Sequence, residues 1–107
     1  MNILITGGGF IAESLRQLFL EENYNVCVPF RKDLDVSNFN QVKTYLKNNN
    51  FEIIIHAAIK GGRKYLKQNT IQDFYENILM LENLLFFRNN YKKLIYFGSG
   101  AEFDQGI

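Results

Sequence analysis

Tryptophan is absent from the 107 residues, and cysteine and proline occur once each. A single thiol, Cys27, cannot build a disulfide framework or a zinc site, so no metal site is expected. A reducing, cytoplasmic compartment fits a lone cysteine. Charge of one sign is not in excess, since the net charge is +1. That removes the electrostatic case for a nucleic-acid partner or an anionic membrane surface. Long hydrophobic runs are missing too. Residues 1–6 run straight into glycines and lack the charged and long apolar regions of a signal peptide. No stretch approaches the length of a membrane span.

What is there is ordinary globular composition, 47% apolar and 21% charged. The length suits one small domain with one core, and residues 1–107 read as a single unit without repeats or linkers. Residues 2–6 (NILIT) have the short β-branched character of a buried strand, ended by Gly7, Gly8 and Gly9. From residue 10 to about 22 the apolar spacing becomes helical, through Ile11, Leu15, Leu18 and Phe19, with Asn23 near the end. Residues 25–30 (NVCVPF) predict a second strand, which should stop pairing at Pro29 for want of a backbone donor. Ser37 is the expected N-cap of a helix over about residues 38–47. Residues 51–56 (FEIIIH) predict a third strand, 57–69 a loop broken by Gly61 and Gly62, and about 70–89 a long helix. Residues 93–97 (KLIYF) predict a fourth strand, ended by Gly98, Ser99 and Gly100, and 101–107 carry no strong pattern.

The order is βαβαβαβ. Continuous apolar strands alternating with helices imply a parallel sheet covered on both faces. Right-handed crossovers then give a doubly wound, Rossmann-like α/β fold, with an expected spatial strand order of 3-2-1-4.

Gly7-Gly8-Gly9-Phe10-Ile11-Ala12 fits the pattern G-x-G-x-x-G/A, and it lies between a predicted strand and a predicted helix, the context that pattern needs. Gly7 allows a tight turn, Gly9 lets the backbone approach a pyrophosphate, and Ala12 is small enough for helix-on-strand packing. The amides at the helix N-terminus then face the phosphates. A glycine turn without a ligand is the plain alternative. An acid that binds the ribose is expected about twenty residues further on. This chain has Phe30-Arg31-Lys32 there, with Asp33 a little late. A guanidinium at Arg31 suits a 2′-phosphate, which favours NADP over NAD. The alternative is that Arg31 and Lys32 are solvated loop charges.

Taken together and in order, several segments resemble the extended short-chain dehydrogenases/reductases, the NAD-dependent epimerase/dehydratase family. Residues 5–12 (ITGGGFIA) are similar to that family's TGGxGFIG turn, one residue shorter and ending in Ala12. Asp33-Leu34-Asp35-Val36 stand where the family places an acid and an apolar residue beside the adenine. His56-Ala57-Ala58 resemble its HxAA stretch, which lines the cofactor. Asn77 falls at its recurrent structural asparagine, and residues 96–103 (YFGSGAEF) resemble its strand-four region. Within the family, residues 56–62 (HAAIKGG) and 98–103 (GSGAEF) are most like the GDP-fucose synthase-like members. The resemblance implies a cofactor site at Gly7, Gly9, Phe10, Ile11, Arg31, Asp35, Val36, Ala57 and Ala58. It implies a catalytic role for Ser99, orienting the reacting oxygen of a nucleotide-sugar substrate. It also implies a homodimer.

The family's acid–base pair is Tyr-x-x-x-Lys. None of Tyr24, Tyr45, Tyr65, Tyr75, Tyr91 and Tyr96 has lysine four positions later. The residues therefore read as the front half of such an enzyme, expected to be inactive alone. A non-catalytic dinucleotide-binding module is the second reading, and a Rossmann-like domain for another adenosine ligand, such as S-adenosylmethionine, is a third that the ordered segments disfavour. His56, alone at a strand end, is expected to pack near the cofactor rather than transfer protons, and Cys27 to be a buried small hydrophobe. Lys60, Gly61 and Gly62 belong either to a substrate or cofactor loop or to a plain surface loop. The long helix is apolar nearly all round, from Phe74 to Phe87, so more than one side should be covered.

Overall fold

The computed structural model describes residues 1–58 and 70–97. Strand β1 spans Asn2–Thr6 and helix α1 spans Gly9–Glu21. Asn23, at φ 65°, ends α1 in the left-handed region that asparagine tolerates. The Tyr24 amide donates to Phe19 O at 3.0 Å and the Asn23 amide to Leu20 O at 3.0 Å. The rings of Phe19 and Tyr24, 5.9 Å apart, close this Schellman end with an apolar contact. The reversal delivers the chain into β2, Asn25–Cys27.

β2 is shorter than the sequence predicts. Val28, Pro29 and Phe30 leave the sheet, as Pro29 requires, and line a cleft instead. Helix α2 spans Phe39–Asn48, and its N-cap is Asn38, not Ser37. The Asn38 side chain accepts from the Gln41 amide at 3.1 Å, whereas the Ser37 hydroxyl donates to Asp35 at 2.7 Å. Both residue types cap helices well, and the Asp35 carboxylate takes the serine out of competition. Strand β3 spans Ile53–His56, helix α3 spans Thr70–Phe86, a 3-10 turn covers Arg88–Asn90, and β4 spans Lys93–Tyr96. The long helix thus stops short of the expected residue 89, its last turn tightening into the 3-10 form.

All four strands are parallel, in the order β2-β1-β3-β4. This corrects the expected order 3-2-1-4. The third strand joins the other side of β1 instead of extending the sheet beyond β2. Ile54, Ile55 and His56 are buried on alternating faces, a demand that an interior position meets and an edge does not. The segment after β2, which carries Leu34 and Val36 into the core, forms turns and not a strand. The chain therefore reverses its direction of travel at β1 and β3.

Side chains alternate between two layers. Leu4 and Ile54 meet α2 and α3 through Val42, Leu46, Met80 and Leu84. Ile3, Ile5 and Ile55 meet Ala12 of α1, with Leu15 and Phe19 packed alongside. Phe39 of α2 lies edge-on to Phe86, with ring centroids 5.1 Å apart.

Candidate functional site

In an open parallel sheet, ligands bind outside the carboxyl ends of the strands where the strand order reverses. Here that point lies between β1 and β3. Thr6 ends β1 and pairs in register with His56, which ends β3. Gly7 follows at φ 98°, Gly8 is extended, and Gly9 opens α1 at φ 85°. The two left-handed glycines answer different needs. A Cβ on Gly7 would stand 2.6 Å from Ala58 N and 2.8 Å from Ala57 C, so the β3 exit presses directly on the turn. A Cβ on Gly9 would meet nothing within 4 Å, so this residue faces open space. Gly8 caps α1 without a side-chain hydrogen bond. The first amides of the helix therefore keep donors for an incoming acceptor. Ala12, 1% exposed, lets α1 settle on Ile3, Ile5 and Ile55, which is the close packing expected of a small residue there.

The turn opens onto a cleft of about 820 Å³. That lies within the usual range for ligand sites, about 300–1,000 Å³. The glycines and the α1 residues Ala12, Glu13 and Arg16 line it, together with a wall of residues 28–31 and 34–36 after β2, and with Ala57, Ala58 and Met80. Of the residues singled out from the sequence, Gly7, Gly9, Arg31, Asp35, Val36, Ala57 and Ala58 are brought together in this cleft. Phe10 and Ile11 are not among its lining. Their side chains are 85% and 50% exposed on the first turn of α1. Ser99, Lys60, Gly61 and Gly62 lie outside the described residues.

The wall containing Asp35 is firmly built. Leu34 and Val36 are buried in the core. The Asp35 carboxylate accepts from the Ser37 amide at 3.0 Å and from its hydroxyl at 2.7 Å. The Gln41 side chain accepts from the Asp35 amide at 2.8 Å while Asn38 accepts from the Gln41 amide, a reciprocal arrangement akin to a capping box. The buried Asn83 of α3 donates to Val36 O at 2.8 Å. Sequence reasoning missed this tie. Asn77, expected as a structural asparagine, also has a partner.

His56 is 1% exposed and its Nδ1 lies 2.6 Å from Thr6 Oγ1. Its ring stacks on Tyr96, the centroids 5.5 Å apart. Burial pushes the imidazole down to about 4, so it is neutral at pH 7. The ring supports the floor beneath the cleft and is not among its lining. Cys27 is half-buried and more than a hydrophobe, since its Sγ lies 2.8 Å from Tyr45 Oη. Burial is the main cause that pushes the Tyr45 phenol up, followed by its bond to Cys27.

No group of three or more potential metal ligands occurs among the described residues. No helix there is long and apolar enough to cross a membrane.

Parallel strands, a glycine turn opening a helix and a cleft at the reversal of strand order define a Rossmann-like domain. Residues 3–106 match the NAD dependent epimerase/dehydratase family, and the chain belongs to that family. It is 35% identical over 105 residues to a GDP-L-colitose synthase of Yersinia pseudotuberculosis, covering 94% of this chain and 34% of that one. Among solved structures it is similar to a GDP-mannoheptose C4 reductase from Campylobacter jejuni with NADP bound, at TM-score 0.77 and 29% identity, covering 92% of this chain and 33% of the other. A GDP-L-fucose synthetase from Naegleria fowleri shares the fold at TM-score 0.72 and 22% identity, covering 89% and 29% of the two chains. The chain thus spans about a third of the length of the relatives it matches.

Proposed function

We propose that the chain is the NADP-binding, N-terminal part of an enzyme that reduces or epimerises a nucleotide-linked sugar. The carrying observation is the glycine turn, which opens onto the cleft between β1 and β3 that Arg31 also lines. The relatives support the reading, since one is a GDP-L-colitose synthase and another a GDP-mannoheptose reductase with NADP bound. The pyrophosphate would lie against the amides from Gly7 to Ile11, with Phe10 and Ile11 contributing backbone and not side chain. Arg31 would hold the 2′-phosphate, Asp35 and Val36 would flank the adenine, and Ala57 and Ala58 would border the nicotinamide side. When bound, the dinucleotide supplies hydride chemistry. Ser99 would orient the substrate oxygen.

No tyrosine of this chain is followed four positions later by lysine. The general acid–base pair is therefore assigned to other residues of the enzyme, and this chain alone should show no turnover. Ile71, Phe74, Tyr75 and Ile78 of α3 are exposed, which supports pairing of subunits along that helix. The free thiol of Cys27 accords with a cytoplasmic setting.

Calorimetric titration with NADPH and NADH tests the reading. NADPH should bind more tightly. Arg31→Ala should weaken NADPH about tenfold, the worth of one charge-assisted bond, and leave NADH unchanged. A folded chain that binds neither dinucleotide overturns the assignment.

A further inference from the structure

We propose that Arg16 of α1 is a second specificity-determining residue for the 2′-phosphorylated dinucleotide, acting in the same cleft as Arg31. The inference rests on the cofactor reading above and deepens it.

Gly9, Glu13 and Arg16 are spaced by four and three residues, so they form one row along a flank of α1. All three line the cleft that Arg31 also lines. The row begins at the open glycine of the turn. It places Arg16 about 10 Å further along the helix axis, at ~1.5 Å per residue. α1 packs against β2, and the chain leaving β2 carries Arg31. The two arginines thus belong to neighbouring elements that line one cleft.

The charges of the cleft give Arg16 its work. Glu13, Arg16, Arg31 and Asp35 all line it. Asp35 is engaged by the Ser37 amide and hydroxyl. Glu13 would repel a phosphate, but Arg16 Nη1 lies 3.2 Å from its Oε2. The same oxygen also accepts from Gln17 at 3.2 Å, so the carboxylate keeps a donor if Arg16 swings away. The pair is half exposed, with side-chain exposures of 45% and 55%, so water and salt hold it weakly. A guanidinium has five N–H donors in a fixed fork. Arg16 can therefore meet phosphate oxygens while shielding them from Glu13, and NADH has no 2′-phosphate to reward it.

The test measures NADPH and NADH dissociation constants for the wild-type chain, Arg16→Ala and Arg16→Lys, with a thermal melt of each. Alanine at this exposed helical position should leave the melt in place. Arg16→Ala should weaken NADPH about tenfold and move NADH less than about twofold, with partial recovery in Arg16→Lys, which keeps the charge but loses the fork. An unchanged NADPH-to-NADH ratio in Arg16→Ala, with wild type still binding, overturns the role of Arg16 and leaves the cofactor reading standing. Equal weakening of both dinucleotides also overturns it, since Arg16 would then serve a phosphate that both share. Failure of the folded wild-type chain to bind either one removes the cofactor reading and this inference together.

Discussion

Thr6 Oγ1 and His56 Nδ1 lie 2.6 Å apart at the paired ends of β1 and β3, both residues 1% exposed. The pair satisfies two polar groups that burial would otherwise leave without partners. It also brings a titratable ring under the mouth of the cleft.

The consequence is a pH dependence. The folded imidazole titrates near 4, below its ordinary 6.5, because burial disfavours the charged form. Between these values the unfolded chain binds more protons than the folded one. Stability is therefore full above pH 6.5, falls as the pH drops towards 4, and levels off below. The loss is at most about 3 kcal/mol. Urea melts from pH 7.5 to 4 should show it, and His56→Gln should flatten the slope over that interval. An equally steep slope in that variant rules out His56 as its source.

The glycines should part company on substitution. Gly7→Ala adds a clash with the Ala57–Ala58 backbone to an unfavourable φ, so its melt should fall sharply or vanish. Gly9→Ala carries the strain of φ without a clash, about 1–2 kcal/mol. It should fold, and lose dinucleotide affinity out of proportion to its stability. Thermal melts beside titrations of both variants separate the two roles.

Asn83→Leu removes the donor to a buried carbonyl. Val36 O would be left unsatisfied, at about 1–3 kcal/mol. Asn83→Asp should do no better at neutral pH, because a carboxylate accepts and cannot donate to that oxygen. Both variants should weaken NADPH binding as well, since the wall around Asp35 loses its tie to α3. Equilibrium unfolding supplies the first quantity and titration the second.

Ala12 tests the packing of α1. Ala12→Leu forces extra volume between the helix and Ile3, Ile5 and Ile55, for about 1–3 kcal/mol. Ala12→Gly fits without strain and should lose only about 0.5–1 kcal/mol through helix propensity. The order of melting temperatures should be wild type, glycine, leucine.

Much of this could be read before the structure. β1, the glycine turn and α1 announce themselves because apolar period and glycine punctuation agree there. Arg31 followed from its spacing after the glycines, whereas Asp35, Val36, Ala57 and Ala58 were legible only through the family resemblance. Strand order did not, because periodicity marks a strand as buried without naming its neighbours. The three consecutive isoleucines of β3 were the available signal for an interior position. Asn83 escaped notice since a single amide within an apolar helix has no local pattern, and its partner is 47 residues away. The row of Gly9, Glu13 and Arg16 was open to view at helical spacing, but nothing in the sequence told which flank of α1 would face the cleft.

The contact between Gly7 and Ala58 has a mechanical meaning. Two bare backbones touch there, with no side chain between them to bend or rotate. Such a joint has no slack. The glycine turn therefore has no room to move towards the chain leaving β3. The two exits are braced against each other at Gly7 and Ala58.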